Sequence, residues 1–274
     1  MSAIGQAGAA TEKVAAETAI ALLSCEKVYP NGIRALMPID LSIREGEFVT
    51  LLGPSGCGKS TLLKMVAGLS EPSDGRLLLW NKPNHQLHKS NHSLSFVFQE
   101  ASLLPWHSVR KNVSLPLELE GLAKTEIKPR VEQVLELVGL TRFANALPRE
   151  LSGGMQMRVS IARSLVVKPD LLLMDEPFGA LDEITRFKLD GDLLDLWQKN
   201  ALSVLFVTHS IHEAVFLSER IIVMAARPGR IVADISIDEP YPRQAEFRMS
   251  TRFSEYAMQL HEHLVAAAGT EDEV

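Results

Sequence analysis

Gly53-Pro54-Ser55-Gly56-Cys57-Gly58-Lys59-Ser60-Thr61 is the stretch whose reading decides the fold. It satisfies G-x-x-x-x-G-K-[ST], a pattern in which a glycine-rich backbone curls closely around phosphates. Its flanks agree with that reading. Phe48-Val49-Thr50-Leu51-Leu52 is a short apolar run of strand type, and Thr61-Leu62-Leu63-Lys64-Met65-Val66-Ala67 is good helix sequence, stopped near Gly68. A loop so placed joins the carboxyl end of a strand to the N-terminus of a helix. Free backbone N–H groups and the positive end of the helix dipole favour an anion there. In this pattern Lys59 reaches the β- and γ-phosphates of a nucleotide and Ser60 holds Mg²⁺. A glycine-rich turn with a chance lysine would leave the matching strand and helix unexplained.

Outward from the loop, three more polar residues follow apolar runs of strand type. Gln99 follows Leu94–Phe98, Asp175 follows Leu171-Leu172-Leu173-Met174, and His209 follows Ser203–Val207 and Thr208. In open α/β sheets ligands bind beyond the carboxyl ends of the strands, so one parallel sheet would gather all four signals at one edge. Asp175 near Ser60 suits Mg²⁺, which prefers oxygen ligands and retains waters. Glu176 adjoins it and can polarise a water aimed at a γ-phosphate. Further on, Leu151-Ser152-Gly153-Gly154-Met155-Gln156 opens an apolar-periodic segment, 155–167. That is a second helix N-terminus with bare N–H groups and a hydroxyl, hence a second anion site or a simple glycine-containing cap.

The chain has 274 residues, 46% hydrophobic and 23% charged, the balance of a globular protein. Its net charge of −6 argues against nucleic acid as a partner. A disulfide between its two cysteines, Cys25 and Cys57, would obstruct the phosphate loop, so reduced thiols are expected. No apolar run reaches the ~20 residues of a membrane span, and no secretory signal is read at the N-terminus. Residues 1–18 read as a disordered tail rich in Ala, Gly and Ser. Strands are expected over 19–28, 36–43, 47–52 and 76–80, then a polar loop carrying His85, His88 and His92, read as solvated rather than metal-binding. From 101 to 150 the pattern is helical, with Ile127, Val131, Val134, Leu135 and Val138 on one face and Pro129 near the start of that helix. A helix over 183–199, strands over 220–224 and 230–235, and a helical tail over 241–264 complete the reading.

Taken together, GPSGCGKST at 53–61, Gln99, LSGGM at 151–155, LLLMDEP at 171–177, GALD at 179–182 and His209 resemble the ATP-binding subunits of ABC transporters over most of the chain. The resemblance implies an α/β P-loop NTPase fold: a RecA-like core with an antiparallel β subdomain, plus a helical subdomain at about 101–164. The nucleotide-binding domain would span 19–236, followed by a C-terminal helical extension over 237–274. It implies a head-to-tail dimer in which each ATP lies between the 53–61 loop of one subunit and Ser152, Gly153 and Gly154 of the other. Tyr29 would stack on adenine, and Gln99 would sense Mg²⁺ and the γ-phosphate. Glu176 would be the catalytic carboxylate, His209 the switch residue, and Asp182 part of the loop crossing the dimer interface. Ser102-Leu103-Leu104-Pro105-Trp106 with Asn112-Val113, the segment 208–218 and Arg227-Pro228-Gly229-Arg230 resemble importers for nitrate, sulfonate, taurine, bicarbonate and pyrimidine precursors. In those systems the stretch after Gln99 faces a transmembrane permease that works with an extracytoplasmic solute-binding protein; a burial-driven core stretch around Trp106 is the plainer reading. Peripheral attachment to the cytoplasmic face of the inner membrane follows. Met157, Ser210 and His212 depart from common family residues without removing a catalytic group. The rival readings are an exporter, lipid-transport or soluble ABC ATPase, and a nucleotide kinase, which the LSGG motif disfavours.

Overall fold

The computed structural model describes residues 17–269 except 90, 180 and 201, so the tail expected over 1–18 lies outside the described residues but for its last two. Among the described residues, ten strands form two sheets. The first is antiparallel and joins β1 (Thr18–Val28), β2 (Arg34–Arg44), β4 (Asp74–Leu79) and β5 (Lys82–Pro83) in the order β2-β1-β4-β5. The second joins β3 (Phe48–Leu52), β6 (Leu94–Val97), β7 (Leu171–Asp175), β8 (Ser203–Thr208), β9 (Arg220–Ala225) and β10 (Arg230–Ser236) in the order β10-β9-β3-β8-β7-β6. It is parallel apart from β10, which runs against β9.

Every residue of β3, β7 and β8 is buried. Their mainly apolar runs, buried at every position, are what a parallel sheet covered on both faces requires. Alternation then assigns the faces. Val49, Leu51, Leu171, Leu173, Leu205 and Val207 pack with α1 (Lys59–Val66) and the antiparallel sheet, which meets Leu62, Leu63, Met65 and Val66 with Ile20, Leu36 and Leu77. Phe48, Leu172, Met174, Val204 and Phe206 pack on the opposite side against the other helices. The helix that follows the phosphate loop is thus clamped between two sheets.

The helical region comprises α2 (Val109–Leu119), α3 (Lys124–Leu137) and α4 (Gly153–Leu165); α5 (Glu183–Asn200), α6 (Ile211–Leu217) and α7 (Thr251–Gly269) complete the chain. α3 starts earlier than the sequence reading implied, so Pro129 lies in its interior, where it lacks the N–H that would bond the Thr125 carbonyl. The tail is also not helical from 241. Residues 241–250 form a strap with a 3₁₀ turn at Ala245–Met249, and α7 begins at Thr251. Buried Arg243 causes the difference: it donates to the carbonyls of Val215, Phe216 and Ser218, each at 2.9 Å, at the C-terminal end of α6. A cation is favoured there by the helix dipole. Ile237, Phe247, Phe253 and Leu260 enter the same core as α5 and α6, so residues 237–269 share that core. His92 stacks on Trp80 with ring centroids 4.1 Å apart. No helix among the described residues is long and apolar enough to cross a membrane.

Candidate active site

The parallel sheet brings the four strand-end signals to one edge. Its register aligns Leu52 with Thr208 and Asp175 with Val207, so the ends of β3, β8 and β7 lie side by side. A cleft of about 440 Å³ opens there, lined by Tyr29, Lys59, Ser60, Thr61, Gln99 and Glu176 among others, with Ser55, Gly56 and Gly58 in its wall. A larger cavity of about 970 Å³ lies at the opposite edge, by Gly46, Pro169 and Ser203 where strands begin, remote from the phosphate loop.

The loop's geometry explains its residues. Gly58 caps α1 at φ 92°, and a Cβ there would stand 2.4 Å from Leu36 Cδ2. Gly53 runs against the sheet, where a Cβ would meet the Met224 carbonyl at 2.5 Å. Pro54 and Gly53 offer carbonyls to Lys59, whose Nζ donates to them at 2.9 and 2.8 Å and stands 3.9 Å from Glu176 Oε1. Cys57 lies beneath, fully buried, and burial pushes its thiol up, so it is a protonated packing group.

Ser60 Oγ donates to Asp175 Oδ1 at 2.8 Å. A hydroxyl and a buried carboxylate side by side are hard oxygen donors of the kind Mg²⁺ takes. Burial pushes the Asp175 carboxyl up, the neighbouring Glu176 charge adds to this, and the Ser60 hydrogen bond opposes it. A divalent cation beside Asp175 would offset that desolvation, so these residues fit the metal.

Glu176 sits at φ 46°, a left-handed conformation that costs a non-glycine residue energy, and its N–H donates to the Val207 carbonyl at 3.0 Å. The unusual backbone turns its side chain back across the strand ends. Its Oε2 lies 3.1 Å from His209 Nδ1. Tyr29, half-exposed, places its hydroxyl 3.2 Å from Thr61 Oγ1, so its ring borders the start of α1.

The second candidate anion site, at Ser152, is not part of this cleft. Ser152 caps α4, its Oγ accepting from Met155 N at 3.3 Å, and Gly153 and Gly154 form the first turn. A Cβ on Gly154 would meet Leu181 Cδ2 at 2.6 Å, so the loop ending at Asp182 packs on this turn. Asp182 Oδ1 accepts from Thr185 N at 2.9 Å at the start of α5, and this bond pulls its carboxyl below the usual range. Ser210 caps α6 by accepting from Glu213 N at 3.3 Å, and His212 stacks on Phe253 with centroids 5.7 Å apart. These two family departures therefore have structural roles.

Sequence reasoning missed Gly229 as a site residue. Its backbone bridges Ala35 and Met37, and a Cβ on it would meet the Cys57 carbonyl at 2.4 Å. Arg227 and Ala35 also line the cleft. Its signal in the sequence was Arg227-Pro228-Gly229-Arg230, read there as a resemblance and not as part of the site.

A phosphate loop at the switch point of a parallel sheet, with an acidic strand end opposite, defines a P-loop NTPase. Residues 36–179 match the family model described as ABC transporter. The taurine import ATP-binding protein of Rhizobium johnstonii is 49% identical over 210 residues, 77% of this chain and 79% of that protein. The aliphatic sulfonates import ATP-binding protein of Bacillus cereus is 43% identical, covering 77% and 82%. An ATP-binding cassette solved as a dimer in a post-hydrolysis state with ADP and Pi superposes with a TM-score of 0.74 at 35% identity, over 81% of this chain and all of that one. The chain belongs to the ABC transporter family and is an ATP hydrolase of that type.

Proposed function

We propose that this chain energises an importer for a small solute of the taurine or sulfonate kind, hydrolysing ATP at the 53–61 cleft as one of two head-to-tail subunits. The observation that carries the reading is the meeting of the Ser60–Asp175 pair, Lys59 and the Glu176–His209 pair at one sheet edge. The importer class is supported by the taurine and sulfonate relatives, and nitrate, bicarbonate and pyrimidine-precursor systems remain in the same solute range.

Lys59 and the N–H groups from Ser55 to Thr61 hold the β- and γ-phosphates. Ser60 and Asp175 would hold Mg²⁺, with Gln99 on the same side of the cleft. Bound Mg²⁺ neutralises phosphate charge. Glu176 orients the attacking water and accepts its proton, while His209 fixes the carboxylate and reaches the γ-phosphate. The Tyr29 ring takes the adenine. Because Ser152, Gly153 and Gly154 lie outside the cleft of their own chain, a second copy supplies them to the bound nucleotide, with Asp182 at the crossing. ATP favours the closed pair, and hydrolysis reopens it.

Trp106 is 70% exposed while Leu103 packs on the core, which favours a contact surface over the core reading. Buried Asn112 braces that loop, accepting from Leu104 N at 2.8 Å and donating to the carbonyls of Leu104, His107 and Ser108. We assign this loop to the permease, which places the chain peripherally on the cytoplasmic face of the inner membrane. The test is a pull-down of Glu176→Gln with ATP from mild-detergent membranes, read by mass spectrometry. A multispanning permease at near-stoichiometric yield is expected, and Trp106→Ala should weaken its recovery. Recovery of soluble proteins or nucleic acid alone would replace this reading with a soluble ABC system.

A further inference from the structure

Glu213 is a buried carboxylate outside the nucleotide cleft, only 4% exposed, on the short helix α6. A charge in such a place is costly unless both oxygens are paired. Each oxygen serves a different element. Oε2 accepts from the Thr208 hydroxyl at the end of β8. Oε1 lies 3.3 Å from Arg186 Nε on α5.

Both partners lead to residues of the reaction. The Thr208 hydroxyl also accepts from Ser210 N at 3.0 Å, so the backbone is tied on both sides of His209. The His209 side chain is 60% exposed, and its ring meets Glu176 Oε2 at 3.1 Å. A ring so open to solvent is aimed mainly by its backbone. Arg186 reaches the other way: its Nη2 donates to the Leu181 carbonyl at 3.0 Å and its N–H to the Asp182 carbonyl at 2.9 Å. A continuous path therefore runs from the loop ending at Asp182 through Arg186, Glu213 and Thr208 to His209 and Glu176. Its members lie on three elements that sequence separates and the sheet brings together.

We infer that Glu213 is a positioning residue for hydrolysis, holding His209 in register with Glu176 and linking it, through Arg186, to the loop that ends at Asp182. Movement of that loop is thereby felt at the catalytic carboxylate. The inference rests on the proposed role of His209. Glu213 touches no reacting atom; its effect is on the aim of the side chains that do, and so belongs to kcat rather than to nucleotide affinity.

The test uses the full chain with Mg-ATP, following phosphate release and thermal unfolding. Thr208→Val keeps the shape and removes the hydroxyl, Thr208→Ser restores it, Glu213→Gln removes the charge, and His209→Ala is the reference. Thr208→Val and Glu213→Gln should each lower kcat by about tenfold or more with KM within about twofold, since small misplacements of reacting groups are expensive. Thr208→Ser should stay within about twofold of the parent in both. Arg186→Gln added to Glu213→Gln should cost nothing further, as members of one path are non-additive. Parent kcat in Thr208→Val, with His209→Ala inactive, would overturn the link alone. So would additive losses in the double variant, or losses in kcat that Thr208→Ser shares and that follow the folded fraction. Parent turnover in His209→Ala would instead remove the reading of His209, and this inference with it.

Discussion

Gly229→Ala is the substitution whose outcome the geometry sets most narrowly. A Cβ at Gly229 would stand 2.4 Å from the Cys57 carbonyl, 2.6 Å from the Ala35 carbonyl and 2.8 Å from Leu36 Cδ2, where ordinary contact begins at 3.4 Å. Two of these are backbone atoms, so no side-chain rotation relieves them. The phosphate loop and the β9–β10 turn must part by about 1 Å, the difference between 3.4 and 2.4 Å. Parting is resisted by the Gly229 N–H bond to Ala35 and the Met37 N–H bond to Gly229, at 3.1 and 2.8 Å. Overpacking of this kind costs about 1–3 kcal/mol of stability. A displacement of about 1 Å in a group that positions substrate lowers turnover by roughly 10²-fold. The assay is ATP turnover with KM, beside thermal unfolding, using Gly191→Ala as the control. Gly191 lies within α5 with nothing within 4 Å of its Cβ position, so that change should stabilise by about 0.5–1 kcal/mol and leave turnover unchanged. Gly229→Ala with parent kcat and KM would show that the turn does not brace the loop.

Lys59→Ala should reduce ATP turnover by about 10²-fold or more, since the loop then lacks its one buried cation beside the phosphates; unchanged turnover would refute the assignment of the loop. Glu176→Gln should bind ATP, hydrolyse it poorly and form a stable ATP-dependent dimer by light scattering; a variant that stays monomeric and hydrolyses at the parent rate would defeat the role given to Glu176. Asp190 is fully buried against Arg248, at 2.5 Å, and burial pushes its carboxyl up to about 7 from 3.8. Because the folded value is the higher one, its contribution to stability is full below pH 3.8 and is lost as pH rises through about 7, roughly 4 kcal/mol in all. Asp190→Asn should flatten that decline in urea denaturation between about pH 4 and 7; an unchanged slope would place the titration elsewhere.

The elements that carry the site were legible because each is written in consecutive residues. The 53–61 loop, the apolar run before Asp175 and the cap at Ser152 depend on local backbone preferences and burial periodicity, which a sequence displays directly. Boundaries were less legible where a distant group decides them. The strap over 241–250 reads as helix, yet Arg243 spends its hydrogen bonds on the carbonyls that close α6. Pro129 suggested a helix start, yet packing of Ile127, Val131 and Leu135 holds the helix through it.

The sequence by itself determined that a loop of phosphate-binding type joins a strand to a helix, that an acidic pair follows a buried strand, and that a second helix opens on Ser152-Gly153-Gly154. Those are properties of short segments. Only the tertiary structure decided which segments meet. Sheet register set Asp175 at 2.8 Å from Ser60, residues 115 apart in the chain, and put Gly229 against the back of the loop. It also left Ser152 outside the cleft of its own chain and joined Glu213 to the end of β8 and to α5. Such meetings depend on the order and direction of strands, and that order comes from burying both faces of one sheet at once, a condition no single segment contains.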